Sequence, residues 1–430
     1  MFFKSPNAPR KEDVLGTAML SILAGHTRYA HATALRGDAV NPGLLGMSKV
    51  VSEDSLRRAM QSLDPDAARV WQQAFMLKTV SPLLEFPWVL DLDVTVKPIY
   101  GHQEGAVVSY NPHKPGRPSH SFHTYMIAKL RLVLDVEVQA GDCHTSAHMR
   151  PGLWSFLGML DRNFWPALLR GDCGFGNEET MVWPEEHGLP YLFKLRMTKG
   201  VSAAARQLEQ RDKWRAVGDG WEGQETTVCL QGWRKSRRVI LLRHFIGSQK
   251  PKLPDDQMPL PFCELLSEPV YEYAALITSL DTPSEGMVQL YRDRADAENM
   301  FDELKNQWGW SGYVTKDLNR CQIMARMIAQ VYNWWHLFVR MADRHHHREA
   351  ITSRPLLLFS IARKIRTSGQ VLLRITHLHP KAERIQSFFE MAANIWKELK
   401  QGAEQLTSWE RWRRLLRLIF AHCIPSLAPA

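Results

Sequence analysis

Residues Tyr291-Arg-Asp-Arg-Ala-Asp-Ala-Glu-Asn-Met-Phe-Asp-Glu-Leu-Lys305 hold no Pro or Gly and are rich in Ala, Glu, Leu and Lys. That composition predicts a helix. At about 100° per residue, with Tyr291 at zero, Arg294 lies at about 300°, Glu298 at about 340° and Lys305 at about 320°. One stripe about 60° wide then carries a phenol, a guanidinium, a carboxylate and an ammonium. Asp302 falls near the stripe and Glu303 points away from it. A carboxylate in such a stripe can ligate a divalent metal, and the two cations can grip phosphate oxygens. A solvated helix face laced with i,i+4 ion pairs has the same pattern, so the rest of the chain must decide between them.

The spacing of Tyr291, two residues, Arg294, three residues, Glu298, six residues and Lys305 matches the Y-(2)-R-(3)-E-(6)-K signature. In type and spacing it resembles that of a large group of DDE transposases from bacterial insertion sequences. The resemblance implies that Glu298, not Glu303, is the third acidic residue of a catalytic set.

Working outward, Pro87 to Tyr100 is the first clear strand. Leu90, Leu92, Val94 and Val96 alternate with Asp91, Asp93, Thr95 and Lys97. An acidic strand face is costly if buried without a counter-charge, so it lies at a surface or ligates a metal. In the resembling family the first Asp is usually followed two positions later by Thr or Ser. Asp93-Val94-Thr95 fits this, with Asp91 as the alternative. Gly101 to His120 reads as a long hairpin loop with Lys114, Arg117, His102, Gln103, His113 and His120, a candidate DNA contact beside a metal site or a plain exposed turn.

Strands follow at Thr124–Leu130 and Leu132–Gln139, an antiparallel meander, then a helix at Gly152–Leu160. Leu168 to Asp172 is an apolar strand, and the glycines at 171, 174 and 176 allow a sharp turn or a close approach. Asn177, followed by Glu178 and Glu179, starts the next helix, and Leu189–Met197 is a further strand. This order predicts an α/β fold, a ribonuclease-H-like mixed sheet, with Asp93 on its first strand and Asp172 just after its fourth. A span of 126 positions separates Asp172 from Glu298, too long for a connection inside one compact domain. The gap reads as a β-rich insertion, with Trp214, Trp221 and Trp233 as candidates for base stacking or for ordinary core.

The expected organisation is therefore a helical region at 1–85, a core at 86–200 and 281–312, the insertion at 201–280 and a helical region at 313–430. Glu12 to Leu35 carries helical apolar spacing, and Ser52 starts a capped helix. Arg57 and Arg58 then sit on a bundle that either faces DNA or packs. Leu318–Met341 reads as a buried core helix. His345, His346 and His347 read as a surface turn, because neighbouring histidines on a helix cannot all ligate one ion. Arg411, Arg413, Arg414 and Arg417, beside Trp409 and Trp412, suit DNA backbone or a partner subunit.

The chain has 430 residues, 45% of them apolar, and a net charge of +9. This fits a globular protein of two or three domains and suggests a polyanionic partner. No apolar run reaches eighteen residues, and the N-terminus lacks a signal-peptide core, so a membrane partner is not expected. Six scattered cysteines without a C-x-x-C pair argue against structural zinc or disulfides and for a reducing compartment, the cytoplasm. The resemblance implies Asp93, Asp172 and Glu298 as catalytic ligands of two Mg²⁺ ions, with Mn²⁺ able to substitute. It assigns Tyr291, Arg294 and Lys305 to DNA phosphates. It implies cut-and-paste transposition on double-stranded DNA, both element ends and target, with a dimer in the synaptic complex. The alternatives are a ribonuclease-H-like nuclease or resolvase that cuts without joining, and an inactive DNA-binding derivative.

Overall fold

A computed structural model describes residues 8–38, 40–111, 114–209, 213–249, 268–359, 362–375, 380–400, 406–421 and 423. The N-terminal region holds α1 (Lys11–Leu23), a 3₁₀ segment (Tyr29–Gly37), α2 (Asn41–Leu44), α3 (Glu53–Gln61) and α4 (Pro65–Val80). The apolar spacing over 12–35 does not give one helix. α1 stops at Leu23 because Gly25 turns left-handed (φ +81°), in a spot where a Cβ would meet Arg354 Nη1 at 2.9 Å. α3 and α4 start as their sequences dictate. Ser52 Oγ accepts from Ser55 N at 3.3 Å, and Asp64 Oδ1 accepts from Ala67 N at 2.8 Å, ahead of Pro65 at the first helical position.

The core sheet runs β1 (Val89–Pro98), β2 (Val107–Val108), β3 (Pro118–Ile127), β4 (Leu132–Ala140), β5 (Leu168–Gly171) and β6 (Tyr191–Leu195). β3 pairs antiparallel with β1 on one side and with β2 and β4 on the other, while β1, β5 and β6 are mutually parallel. This is the ribonuclease-H-like mixed sheet. α5 (Ser146–Gly158) and α6 (Glu178–Glu186) connect its strands. α5 begins ahead of the expected Gly152 and carries Pro151 inside it.

The insertion adds α7 (Lys199–Glu209), β7 (Arg215–Ala216), β8 (Trp221–Val228), β9 (Arg237–Gln249) and β10 (Glu268–Thr278). It is not a separate layer. β10 returns antiparallel to β6, and β9, β8 and β7 continue from it, so core and insertion share one sheet. α8 (Ser284–Arg292) and α9 (Ala295–Asn306) follow.

α10 (Leu318–Ala342) is the buried helix its composition predicts, and it seals the β4 edge. Asn333 accepts from Val133 N at 2.9 Å and donates to Val133 O at 2.7 Å; Gln322 does the same for Val138 N at 2.5 Å and Val136 O at 2.8 Å. Side-chain amides thus satisfy an edge that would otherwise be open. After α11 (Ala350–Leu357) the expected all-helical tail is interrupted by a hairpin of β11 (Ala362–Thr367) and β12 (Gln370–Ile375), before α12 (Ala382–Lys400) and α13 (Ser408–Phe420). Ser368 and Gly369 both take positive φ, +50° and +75°, the geometry of a two-residue hairpin turn.

Among the described residues no helix is long and apolar enough to cross a membrane. Cys143, Cys173, Cys229, Cys321 and Cys423 are free thiols. Cys263, His113 and the first seven residues lie outside the described residues.

Candidate active site

β1 carries Asp91 and Asp93 on one face, and the fold treats them differently. Asp91 is paired in register with Arg170 on β5. Arg170 Nε donates to Oδ1 at 2.5 Å and Nη2 to Oδ2 at 3.0 Å; Ala128 N donates to Oδ2 at 3.0 Å. Both side chains are at most 2% exposed. Asp91 is therefore committed to holding β1 and β5 together and is a poor ligand.

Asp93 is less settled. Its Oδ1 accepts from Val94 N at 2.8 Å, and Arg294 Nη2 donates to its Oδ2. Burial pushes its carboxyl up to about 6; the Arg294 guanidinium opposes this, and the charges of Asp172 and Glu298 add to it. Asp172 follows β5 directly, with Oδ1 accepting from Gly174 N at 2.8 Å. Gly171 is needed there, since a Cβ would meet Phe175 Cδ2 at 2.7 Å.

The stripe from Tyr291 to Lys305 is not one helix. α8 ends at Arg292, and Asp293 and Arg294 form a turn before α9. The cause is long-range. A continuous helix would bond Arg294 N to Leu290 O, but Arg170 Nη1 donates to that carbonyl, and Arg294 N turns to Tyr291 O at 3.1 Å. Across the break the four side chains still stand within electrostatic reach of Asp93. Arg294 meets Asp93, and its buried Nε has no partner among the described residues. Burial pushes the Tyr291 hydroxyl up to about 12, with Arg294 opposing and Asp172, Cys173 and Asp93 adding. Burial lowers the Lys305 ammonium, while Asp93 and Asp302 favour its charge. Glu298 is exposed on α9 and acts on Asp93 by charge.

Glu303 does point elsewhere. It accepts from Trp308 Nε1 at 3.1 Å and Ala350 N at 3.0 Å, and meets His347 Nε2 at 3.3 Å. His346 meets Asp343 at 3.2 Å, so His346 and His347 pair with acids in that turn. Among the described residues no three His, Cys, Asp or Glu side chains converge on one metal position. Asp93, Asp172 and Glu298 share a neighbourhood rather than a finished cage. Their hard oxygen donors and their surplus negative charge at Asp93 nonetheless fit a divalent cation.

The model of the family described as Transposase DDE domain group 1 matches residues 8–396. The chain belongs to this transposase family. DDE transposases are enzymes that act on DNA and depend on a divalent metal. Among solved structures, the transposase is similar to the piggyBac transposase synaptic complex with hairpin DNA, determined by cryo-EM. The identity is 11% and the TM-score 0.39, over 97% of this chain and 76% of that one. No curated protein matches the chain.

Beside Asp172 the transposase forms a cleft of about 850 Å³ that Asp172 and Lys305 line together with Lys194, Arg196 and Tyr273. No motif marks Lys194 and Arg196. Lys194 is the exposed position of β6, next to buried Leu195, and Arg196 follows the end of the strand.

Other residues singled out in the sequence take varied places. Lys114 and Arg117 stack on the exposed Tyr100 ring at 5.1 and 4.9 Å, while His120 is buried and bonded to Glu104 O at 2.9 Å. Trp214 stacks with Arg243 at 4.4 Å and Trp221 with His244 at 5.2 Å. Trp233 lines a cleft that adjoins the one holding Asp172. Arg57 pairs with Glu53 at 2.7 Å, and Arg58 Nε donates to Asp54 O at 3.2 Å. Arg413 and Arg417 both turn to Glu85, docking α13 on the end of the N-terminal region.

Proposed function

We propose that this transposase cuts DNA at the terminal inverted repeats of a bacterial insertion sequence and transfers the freed 3′-OH ends into target DNA. Asp93, Asp172 and Glu298 would hold the metal, and Mg²⁺ suits their hard oxygens, with Mn²⁺ as a substitute. Held there, a pair of divalent ions supplies an acidified water or 3′-hydroxyl and a stabilised leaving oxygen.

The chain's own residues do the rest. Arg294 neutralises Asp93 and keeps an unpartnered Nε for a phosphate oxygen. Lys305, half-buried at the cleft wall, places an ammonium beside the same phosphate. Tyr291, its hydroxyl pushed up to about 12 by burial, would stay protonated at neutral pH and so could donate a hydrogen bond to a phosphate. Two ends brought together imply a dimer on DNA, with both duplex ends and target duplex as substrates.

The single observation that carries this reading is the Arg294–Asp93 contact, with the other candidate residues in its electrostatic neighbourhood. The carboxyl group feels Arg294, Asp172 and Glu298, and in turn acts on Tyr291 and Lys305. The test replaces Asp93, Asp172 and Glu298 singly by Ala and assays labelled element ends with a target plasmid in Mg²⁺. Joined products from the natural protein and none from any variant are expected. Near-normal cutting by one variant removes that residue from the set. Cleaved but unjoined products point to a nuclease or resolvase, and shifted but uncut DNA to an inactive DNA-binding derivative.

A further inference from the structure

Arg170 is almost wholly buried, and its guanidinium faces two ways. Two of its nitrogens, Nε and Nη2, close on Asp91 at 2.5 and 3.0 Å. The third, Nη1, leaves the sheet and donates to Leu290 O near the end of α8. These contacts reach every element that carries a candidate metal ligand. Asp91 stands two positions before Asp93 on β1, and Arg170 itself stands two positions before Asp172 at the end of β5. The parallel register pairs Leu92 with Gly171, so Asp93 and Asp172 each lie one residue beyond the same rung. Leu290 precedes the break between α8 and α9, and α9 carries Glu298.

A pair that only fastened β1 to β5 would not need the third bond. The two strands are already paired by their backbones and share apolar neighbours such as Leu90, Leu92 and Leu169. A buried ion pair is often no more stabilising than apolar side chains of similar bulk. The bond to Leu290 O reaches outside the sheet. With that carbonyl occupied, Arg294 N turns to Tyr291 O at 3.1 Å, α9 starts afresh at Ala295, and Arg294 meets Asp93. Were the carbonyl free, the helix could run on through Asp293 and Arg294, and Glu298 and Lys305 would be carried to a different helical phase. Holding two partners in fixed directions suits the planar fork of an arginine and not the flexible ammonium of a lysine.

We propose that Arg170 is a positioning residue for the reaction: one guanidinium sets β1, β5 and the start of α9 against one another, and so sets the spacing of Asp93, Asp172 and Glu298. It acts through Asp91 and Leu290 rather than on the metal or the DNA. The proposal rests on the reading of those three acids as the metal set.

The test uses the full chain, with Mn²⁺ as the probe. In Arg170→Met/Asp91→Leu both charges leave together, so the fold should persist, with a modest fall in melting temperature because Ala128 N loses its acceptor. Arg170→Lys, the second variant, keeps a charge beside Asp91 but cannot also hold Leu290 O. Calorimetry without DNA should show Mn²⁺ bound roughly tenfold more weakly by both, the usual cost of losing an outer support of a metal site. Single-turnover cleavage at saturating Mn²⁺ should still be slower, by roughly a hundredfold in the double variant, as a misplacement of about 1 Å predicts. Asp91→Ala keeps the Leu290 bond, so its Mn²⁺ affinity should change least of the three. A residue that only held the sheet together would lower the melting temperature and leave both readings, per folded molecule, as they are. Natural Mn²⁺ affinity and rate in either folded variant, or loss of the fold in both, would overturn the proposal. The metal reading fails separately. If Asp93→Ala, Asp172→Ala and Glu298→Ala all bind Mn²⁺ as the natural protein does, the metal set falls. If they lose Mn²⁺ and the Arg170 variants keep it, only the positioning role falls.

Discussion

Asp91 and Asp93 are two positions apart on one strand, yet their removal should have opposite consequences. Asp91→Ala strips Arg170 of a bidentate partner at 2.5 and 3.0 Å and leaves its buried guanidinium with only the Leu290 carbonyl. Breaking a buried pair from one side costs about 3–5 kcal/mol. Ala128 N also loses its acceptor, about 1–3 kcal/mol more. Asp93→Ala removes a carboxyl pushed up to about 6 from an ordinary 3.8. At about 1.4 kcal/mol per pH unit, the fold disfavours its ionised form by on the order of 3 kcal/mol. Arg294, 8% exposed, loses its partner in the same change, which offsets most of that relief. Scaling the entropy of unfolding with chain length gives roughly 1 °C of Tm per kcal/mol for one cooperative unit. Asp91→Ala should therefore lower Tm by roughly 4–8 °C, and Asp93→Ala should move it by no more than about 2 °C. Cleavage should show the reverse order: loss of a metal ligand worth about 4 kcal/mol slows cutting roughly a thousandfold, while folded Asp91→Ala still cuts measurably. Differential scanning calorimetry and a single-turnover cleavage assay on the two variants decide it. If Asp93→Ala melts as early as Asp91→Ala, or if Asp91→Ala is the dead one at full stability, the division of labour proposed for this strand is wrong.

Further outcomes follow from the same geometry. The Asp93 titration near 6 sets a pH profile. Because its folded pKa is raised, the group favours the metal-free fold below about 3.8 and that contribution is lost as pH rises through about 6. Divalent affinity should run the other way, falling up to tenfold per pH unit below about 6 and levelling above about 7, as Mn²⁺ calorimetry between pH 5 and 8 would show; a flat profile would contradict it. Glu303→Ala should cost about 2–4 kcal/mol by stranding the donors Trp308 Nε1 and Ala350 N, with cleavage per folded molecule unchanged, and a dead but stable variant would return Glu303 to the catalytic set. Gly171→Ala should impair cutting more than stability. Its methyl would press on the Phe175 ring and shift the Asp172 turn, and full activity would mean that this turn has slack.

How much of this was legible depended on the range of the forces involved. Spacing placed Tyr291, Arg294, Glu298 and Lys305 on one stripe of a single helix, which the structure breaks at Asp293 and Arg294; that Arg294 meets Asp93 is a long-range contact that spacing could not show. The alternation of β1, the Gly-rich turn after Asp172 and the Asn177 cap were local, and Asn177 Oδ1 does accept from Thr180 N at 3.2 Å. The break at Asp293 was not readable, since its cause is Arg170, 120 positions away from the carbonyl it captures. The merging of the insertion into the core sheet was hidden for the same reason: the β6–β10 register joins segments some eighty residues apart. The β11–β12 hairpin is different. Ser368-Gly369 is a local turn signal, and helical composition on either side outweighed it.

The buried arginines differ in how fully their charge is matched. Arg170 is matched to Asp91, Arg326 to Asp135 at 2.7 Å, and Arg237 to Glu178 and Glu185. In each of these pairs charge and hydrogen-bond capacity close on themselves, and each ties separate elements together: β1 to β5, β4 to α10, β9 to α6. Arg294 has the same chemistry but is left with a buried, unpartnered Nε and an aspartate that further acids repel. Arg340 and Arg354 also keep a buried Nε without a partner among the described residues, but their other nitrogens turn to backbone oxygens, whereas Arg294 meets a carboxylate. Leaving Arg294 Nε open keeps a donor and an unbalanced acid side by side, which costs stability in the free protein and is relieved only by a ligand carrying both an anionic oxygen and a cation. A phosphodiester with its divalent ion is such a ligand. Added together, Mn²⁺ and a DNA end should therefore raise Tm by more than the sum of their separate effects, and strict additivity would mean that Arg294 and Asp93 answer to different partners.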